Sequence, residues 1–195
     1  LGCPVPKVTK QTAGVALFKN LPLAKAVIKR VIEQTDLPVS IKIRCQAGEI
    51  TCLQFLDYVS DLDIKAVMIH GRSPQQGFIG PVNTELMKQS RNYFSGIILA
   101  NGGVNSSATA QALLEASGAD GLGLARGVCG RPWLFQEIKE QKIINMSQPQ
   151  LFKLILKHAQ LADEYSRQSG ISFLEIRKHL GWYLRGLSNV KLLRQ

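Results

Sequence analysis

The chain has no apolar run approaching the ~18 residues that a helix needs to cross a bilayer, so no membrane-spanning helix is expected. Its first residues show no basic stretch followed by an apolar one, and no secretory signal is read there. The four cysteines, Cys3, Cys45, Cys52 and Cys129, form no C-x-x-C pair and share no zinc-like spacing with histidine. No metal site is expected, and free thiols in a reducing, cytoplasmic setting are the simpler reading. Acidic residues are also scarce, with 14 Asp plus Glu against 24 Lys plus Arg and a net charge of +10. That surplus favours capture of polyanions, with nucleic acid the natural candidate.

What is present is a repeating β/α texture. Residues 21–34 carry apolar positions at helical spacing, with Pro22 suited to a first turn. Val39 to Ile43 alternates and is β-branched, so it reads as a strand. Residues 50–61 read as a helix, 66–69 as a strand ending at His70, 82–93 as a weaker helix, and 96–100 as a strand. Ser106 or Ser107 caps a helix running to Ser117, and Gly121 to Ala125 is a glycine-rich strand. Four β/α units in a row predict a parallel sheet with crossover helices. Beyond Gln148 the pattern changes to two long amphipathic helices. In the second, Ile176, Leu180, Tyr183 and Leu187 share one face, while Lys178, Gly181, Trp182 and Arg185 share another.

An α/β barrel of eight units takes about 250 residues. The expected fold class is therefore the C-terminal half of a (β/α)8 TIM barrel followed by an all-helical domain. A boundary between Ile143 and Gln148 gives a partial barrel over residues 1–145 and a helical domain over 146–195. The first half of the barrel is expected upstream of Leu1, because a four-strand half-sheet exposes two edges.

The residues that carry chemistry stand at strand ends, on the rim where such barrels act. Cys3, followed by Pro4, is either a fixed nucleophile or acid, or a small apolar residue at the start of a helix. Lys42 faces away from Ile41 and Ile43; it is either an inward cation needing an anionic partner or an edge lysine facing water. His70 either packs structurally or meets the polar edge of a heterocycle. Asn101-Gly102-Gly103, and Gly121 to Gly127 with Arg126 inside, are turns that bring backbone N–H groups against a phosphate, or else simple loop punctuation.

In this order the motifs resemble the tRNA-dihydrouridine synthases. They are Gly2 to Val8 (Gly-Cys-Pro-x-x-Lys-Val), Gly14 to Leu17, Lys42 to Arg44, His70-Gly71-Arg72, Asn101-Gly102-Gly103, Arg126-Gly127, Gly130 to Trp133, and Arg177 to Tyr183. The Gly-Arg-Pro-Trp and Arg-Lys-His versions look most like the bacterial B-type branch. The resemblance implies an FMN-binding barrel and a helical tRNA-binding domain, with NADPH as reductant. It implies that reduced FMN delivers hydride to C6 of the uracil and that Cys3 protonates C5. Lys42 and His70 match residues that contact the flavin ring. Asn101, Gly102, Gly103, Ala125 and Arg126 match its phosphate site. Arg72, Arg177, Lys178, Trp182 and Arg185, with Lys191 and Arg194, are the expected RNA contacts.

Two positions depart from the family pattern: Ala125 stands for a glycine, and Gly103 for an aspartate. The 195-residue chain alone is expected to bind FMN poorly and to show little activity. Competing readings are another FMN barrel of the dihydroorotate or dihydropyrimidine dehydrogenase kind, a flavin-free phosphate-binding barrel, and a non-catalytic tRNA-binding module. Oligomeric state is left open.

Overall fold

A computed structural model describes residues 1–187. The chain divides into two compact units, one of Leu1–Val104 with Ala108–Ala125, the other of Asn105–Ser107 with Arg126 onward.

The first unit is built on parallel pairing. Its elements run α1 (Pro6–Thr9), a 3-10 turn (Gly14–Lys19), α2 (Leu21–Glu33), β1 (Ser40–Arg44), β2 (Gln46–Ala47), β3 (Ile50–Thr51), α3 (Cys52–Tyr58) and β4 (Ala66–His70). They continue with α4 (Thr84–Gln89), β5 (Ile97–Asn101), α5 (Ser107–Ser117) and β6 (Gly121–Gly123). The main sheet has the order β1-β4-β5-β6, all parallel, and β2 pairs antiparallel with β3 as a short hairpin. Strand order follows chain order because each crossover helix returns the chain to the next position.

Alternation seals one face. Ile41, Ile43, Val67, Ile69, Ile98 and Ala100 are buried, as are Ala24, Ile28, Phe55, Leu56, Met87 and Leu113 on the helices. Phe18 and Phe55, both fully buried, stack with ring centroids 4.8 Å apart. On the opposite face Lys42 is exposed, Met68 and Leu99 are half-buried, and Ile97 is 54% exposed. The strands form an open sheet with β1 and β6 at its edges.

Several elements are shorter than the sequence predicts, each for a local reason. The expected 50–61 helix begins only at Cys52, because Thr51 and Gln54 close a capping box and leave Ile50–Thr51 to the hairpin. Asn83 accepts from the Leu86 N–H, which starts α4 at Thr84, and a 3-10 turn at Ser90–Asn92 ends it. The glycine-rich strand stops at Gly123, and a 3-10 turn over Arg126–Val128 follows.

The second unit's described residues hold helices and turns only. These are α6 (Leu134–Glu140), α7 (Gln148–Ser169, 22 residues) and α8 (Ile176–Tyr183, 8 residues). The second amphipathic helix is therefore short: Gly170 caps α7 in the left-handed region, and a 3-10 turn at Phe173–Glu175 precedes α8. The units part at Ala125/Arg126, well before the boundary expected between Ile143 and Gln148. The reason is packing. Trp133 lies against the cluster of Ile155, Tyr183 and Leu184, together with Leu180 and Leu187. A Cβ on Gly130, at φ +77°, would sit 2.5 Å from the Trp182 carbonyl carbon. Buried Glu137 receives Arg131 and the Ile144 N–H, tying the 131–144 segment together. The expected positions Lys191 and Arg194 lie outside the described residues.

Replacing Phe55 by Ala removes half of a fully buried stacked pair and should destabilise the protein by about 3–5 kcal/mol. Denaturant unfolding monitored by circular dichroism checks this.

Candidate active site

Register places the candidate residues together. Arg44 pairs with His70, His70 with Asn101, and Asn101 with Gly123, so one residue from each of four strands forms a row at the sheet's C-terminal edge. Cross-strand partners share a face, and residues two apart along a strand do too. Lys42, Arg44, His70 and Asn101 therefore all belong to the face opposite the buried row of Ile43, Ile69 and Ala100.

Cys3 joins this row through its backbone neighbours. A Cβ on Gly2 would sit 3.5 Å from the Ile43 carbonyl carbon, so the Gly2–Cys3 segment lies directly on the end of β1. The Arg44 Nε donates to the Gly2 carbonyl at 3.0 Å, and the Cys3 carbonyl accepts from the Val15 N–H at 2.9 Å. The thiol itself is exposed and free.

The glycine turn after β5 is a cradle that no side chain can enter. Gly102 sits at φ +125°, and a Cβ there would fall 2.8 Å from Val82 Cγ1 and 2.9 Å from His70 Cδ2. Gly103, at φ +75°, faces the Arg72 Nη2, 3.6 Å from where its Cβ would be. Asn101 braces the turn: its side-chain Nδ2 donates to the Gly123 carbonyl, and its own carbonyl accepts from the Gly71 N–H at 3.0 Å. Gly123 in turn leaves room for Met68, whose Sδ lies 2.5 Å from a Cβ built there.

Charge on this edge is positive. The Lys42 side chain reaches solvent, and partial burial, then the Arg44 guanidinium, hold its ammonium below the ordinary lysine value. Arg44, 4% exposed, and Arg72, 9% exposed, are both buried. Arg72 donates from Nε to the Gly80 carbonyl at 2.8 Å. Arg72, expected as an RNA contact, lies beside the glycine turn in the sheet-end cluster. Ala125 is the last residue of the first unit, and Arg126 opens the second. Thr12 and Gln141 are the non-glycine residues with positive φ among those described, so Ala125 carries no left-handed strain.

The remaining expected RNA contacts belong to the second unit. Arg177, Lys178 and Arg185 are exposed, and Lys178 pairs with Glu175 at 2.7 Å. Trp182 is half-buried, edge-on to His179 at 4.9 Å. Tyr183 is core, as its alignment with Ile176 and Leu180 predicts, with its hydroxyl 3.1 Å from His158 Nδ1. Burial, then His179, keep the His158 imidazole below its ordinary value. Among the described residues no group of three His, Cys, Asp or Glu side chains could hold a metal ion, and no helix is long and apolar enough to cross a membrane.

A family model described as dihydrouridine synthase matches residues 1–195. The chain belongs to the dihydrouridine synthase family. It is 34% identical over 192 residues to tRNA-dihydrouridine synthase B of Shewanella oneidensis, covering 94% of this chain and 59% of that protein. It is 33% identical to tRNA-dihydrouridine synthase B of Vibrio vulnificus, covering 95% of this chain and 59% of the relative. The probable tRNA-dihydrouridine synthase 1 of Synechocystis is 31% identical, across 100% of this chain and 56% of its own length. The chain thus spans under two thirds of these curated relatives. The B-type names agree with the branch that the Gly130–Trp133 and Arg177–His179 motifs resemble.

Sequence reasoning missed the place of Arg44. A signal was there: two cations two apart in a five-residue strand must share a face, and the second is followed by buried Cys45. The thiol of Cys45 differs from that of Cys3. Burial, then Cys52, push it up to about 11. The folded protein keeps this proton to higher pH than the unfolded chain does, so the contribution to stability is present below the ordinary value of 9.0 and lost towards 11. Unfolding free energy should fall as pH rises through that window. The fall should be shallower in Cys45→Ala, compared by denaturant titrations at pH 8, 9.5 and 11.

Proposed function

We propose that the chain carries the catalytic edge and RNA-contacting helices of a cytoplasmic, NADPH-linked, FMN-dependent tRNA-dihydrouridine synthase. The observation that supports this most is the Gly2–Cys3 segment, with its exposed thiol, held by Arg44 at the end of β1, where Arg44 stands in one row with His70 and Asn101 and Lys42 lies two residues back on the same strand face. The open edges at β1 and β6 fit a sheet that continues into a (β/α)8 barrel.

The residues present suit FMN. A turn where Gly102 and Gly103 have positive φ and a Cβ would collide with His70 offers backbone N–H groups to a phosphate. Lys42 and His70, on one face of the sheet, offer a cation and an imidazole to a flat, polar-edged ring. The flavin, when bound and reduced, supplies hydride to the uracil C5=C6 bond. Cys3 holds the proton that C5 receives, and this requires the thiol to be protonated when it acts. Its exposure leaves it open to a base brought out of the RNA stack.

In the second unit, Arg177, Lys178 and Arg185 offer positive charge to an RNA backbone, and half-buried Trp182 offers a ring edge beside them. Lys178 must give up its pairing with exposed Glu175, which costs little.

Two experiments test this reading. Purified from its complete open reading frame, the protein should be yellow and should form dihydrouridine in unmodified tRNA with NADPH, and Cys3→Ala should lose about 10²-fold or more of that activity. A colourless protein, or a yellow one without action on tRNA, rejects the assignment. The double change Lys178→Ala with Arg185→Ala should weaken tRNA binding and lower the slope of log affinity against log salt by about 2, at roughly 1 per phosphate contact. Filter binding across a salt series reads this directly, and an unchanged slope removes that surface from the RNA contact.

A further inference from the structure

Arg44 is a buried cation that faces carbonyls. Its Nε donates to the Gly2 carbonyl at 3.0 Å, and its Nη1 donates to the carbonyls of Arg72 at 3.1 Å and Ser73 at 2.9 Å. A guanidinium taken out of water is costly unless its donors are satisfied. Here they are spent on two loops far apart in sequence. One precedes Cys3; the other follows His70.

The Gly2 carbonyl belongs to the same peptide unit as the Cys3 N–H, so fixing one fixes the plane of the other. The next peptide unit is held from the other side, where the Cys3 carbonyl accepts from Val15 N–H. Gly14, at φ +61°, closes against it, and a Cβ there would collide with the Cys3 carbonyl oxygen and sit 3.2 Å from Cys3 Cβ. Both peptide planes flanking Cys3 are thus anchored, and the exposed thiol keeps only side-chain rotation.

We infer that Arg44 is a positioning residue for Cys3, its planar fork locking the cysteine loop and the His70–Ser73 loop into one frame. The inference rests on reading Cys3 as the proton donor. Lysine cannot take the role, since a single ammonium on a flexible stem does not present fixed, divergent donors to three carbonyls. Arg44 touches no reacting atom; it acts through the peptide unit that precedes the thiol.

The test compares Arg44→Lys and Arg44→Met with the parent protein by thermal melting, by kcat and KM on unmodified tRNA, and by the rate of Cys3 alkylation by iodoacetamide, read on the isolated peptide. Both variants should lose about tenfold to hundredfold in kcat, as expected for a misplaced reacting group, with KM for tRNA little changed. Alkylation of Cys3 should depart from the parental rate in both variants, because the peptide unit preceding the thiol is no longer held by the guanidinium. A folded Arg44→Lys with parental kcat overturns the inference, as does a folded Arg44→Met with parental Cys3 alkylation. If Arg44→Met does not fold, Arg44→Lys decides alone. A parent without dihydrouridine activity rejects the functional reading instead, and the alkylation comparison still tests the inference.

Discussion

The parallel register of β1, β4, β5 and β6 is the constraint on which the candidate site depends. Arg44, His70, Asn101 and Gly123 are neighbours only because each is the register partner of the next. Side chains along a strand alternate, so a slip of one residue in any pairing would send that strand's contribution to the helix-covered face. The buried row of Ile43, Ile69 and Ala100 opposes such a slip, since it would place apolar side chains where Lys42 and Arg44 now stand. The core and the site are two faces of one sheet, and the same hydrophobic pattern specifies both.

Space at the edge is made by removing side chains. Gly102 and Gly123 sit where any Cβ would strike His70 or Met68, and Gly14 sits where one would strike Cys3. Flexible residues would waste this space, so each turn is braced: Asn101 bonds β6 through its amide, and Arg44 bonds two loops through its guanidinium. The cations are correspondingly divided in function. Arg44 and Arg72 are spent on carbonyls inside the fold, whereas Lys42 reaches solvent.

Much of this was legible in the chain. The strands announced themselves as β-branched runs, and the candidate residues followed because each run ends in a polar or glycine cluster. The face of Lys42 was legible from alternation alone, and Tyr183 from its alignment with Ile176 and Leu180. Element ends were less so, since Thr51 and Asn83 set them through side-chain caps that compete with the apolar periodicity. The burial of Arg72 and the part played by Arg44 were not legible, because each depends on carbonyls from loops distant in sequence. The place of Trp133 and Gly130 was not legible for the same reason: they look like loop residues until their contacts with Ile155, Tyr183 and Trp182 are known.

Between Cys3 and Gly123 every component of the edge comes from a different β/α unit. No contiguous fragment of the chain therefore contains a partial site that could act early. Parallel pairing also demands that each crossover close before its strand can dock, which makes such contacts slow to form. The row from Arg44 to Gly123 is complete only once all four strands are paired.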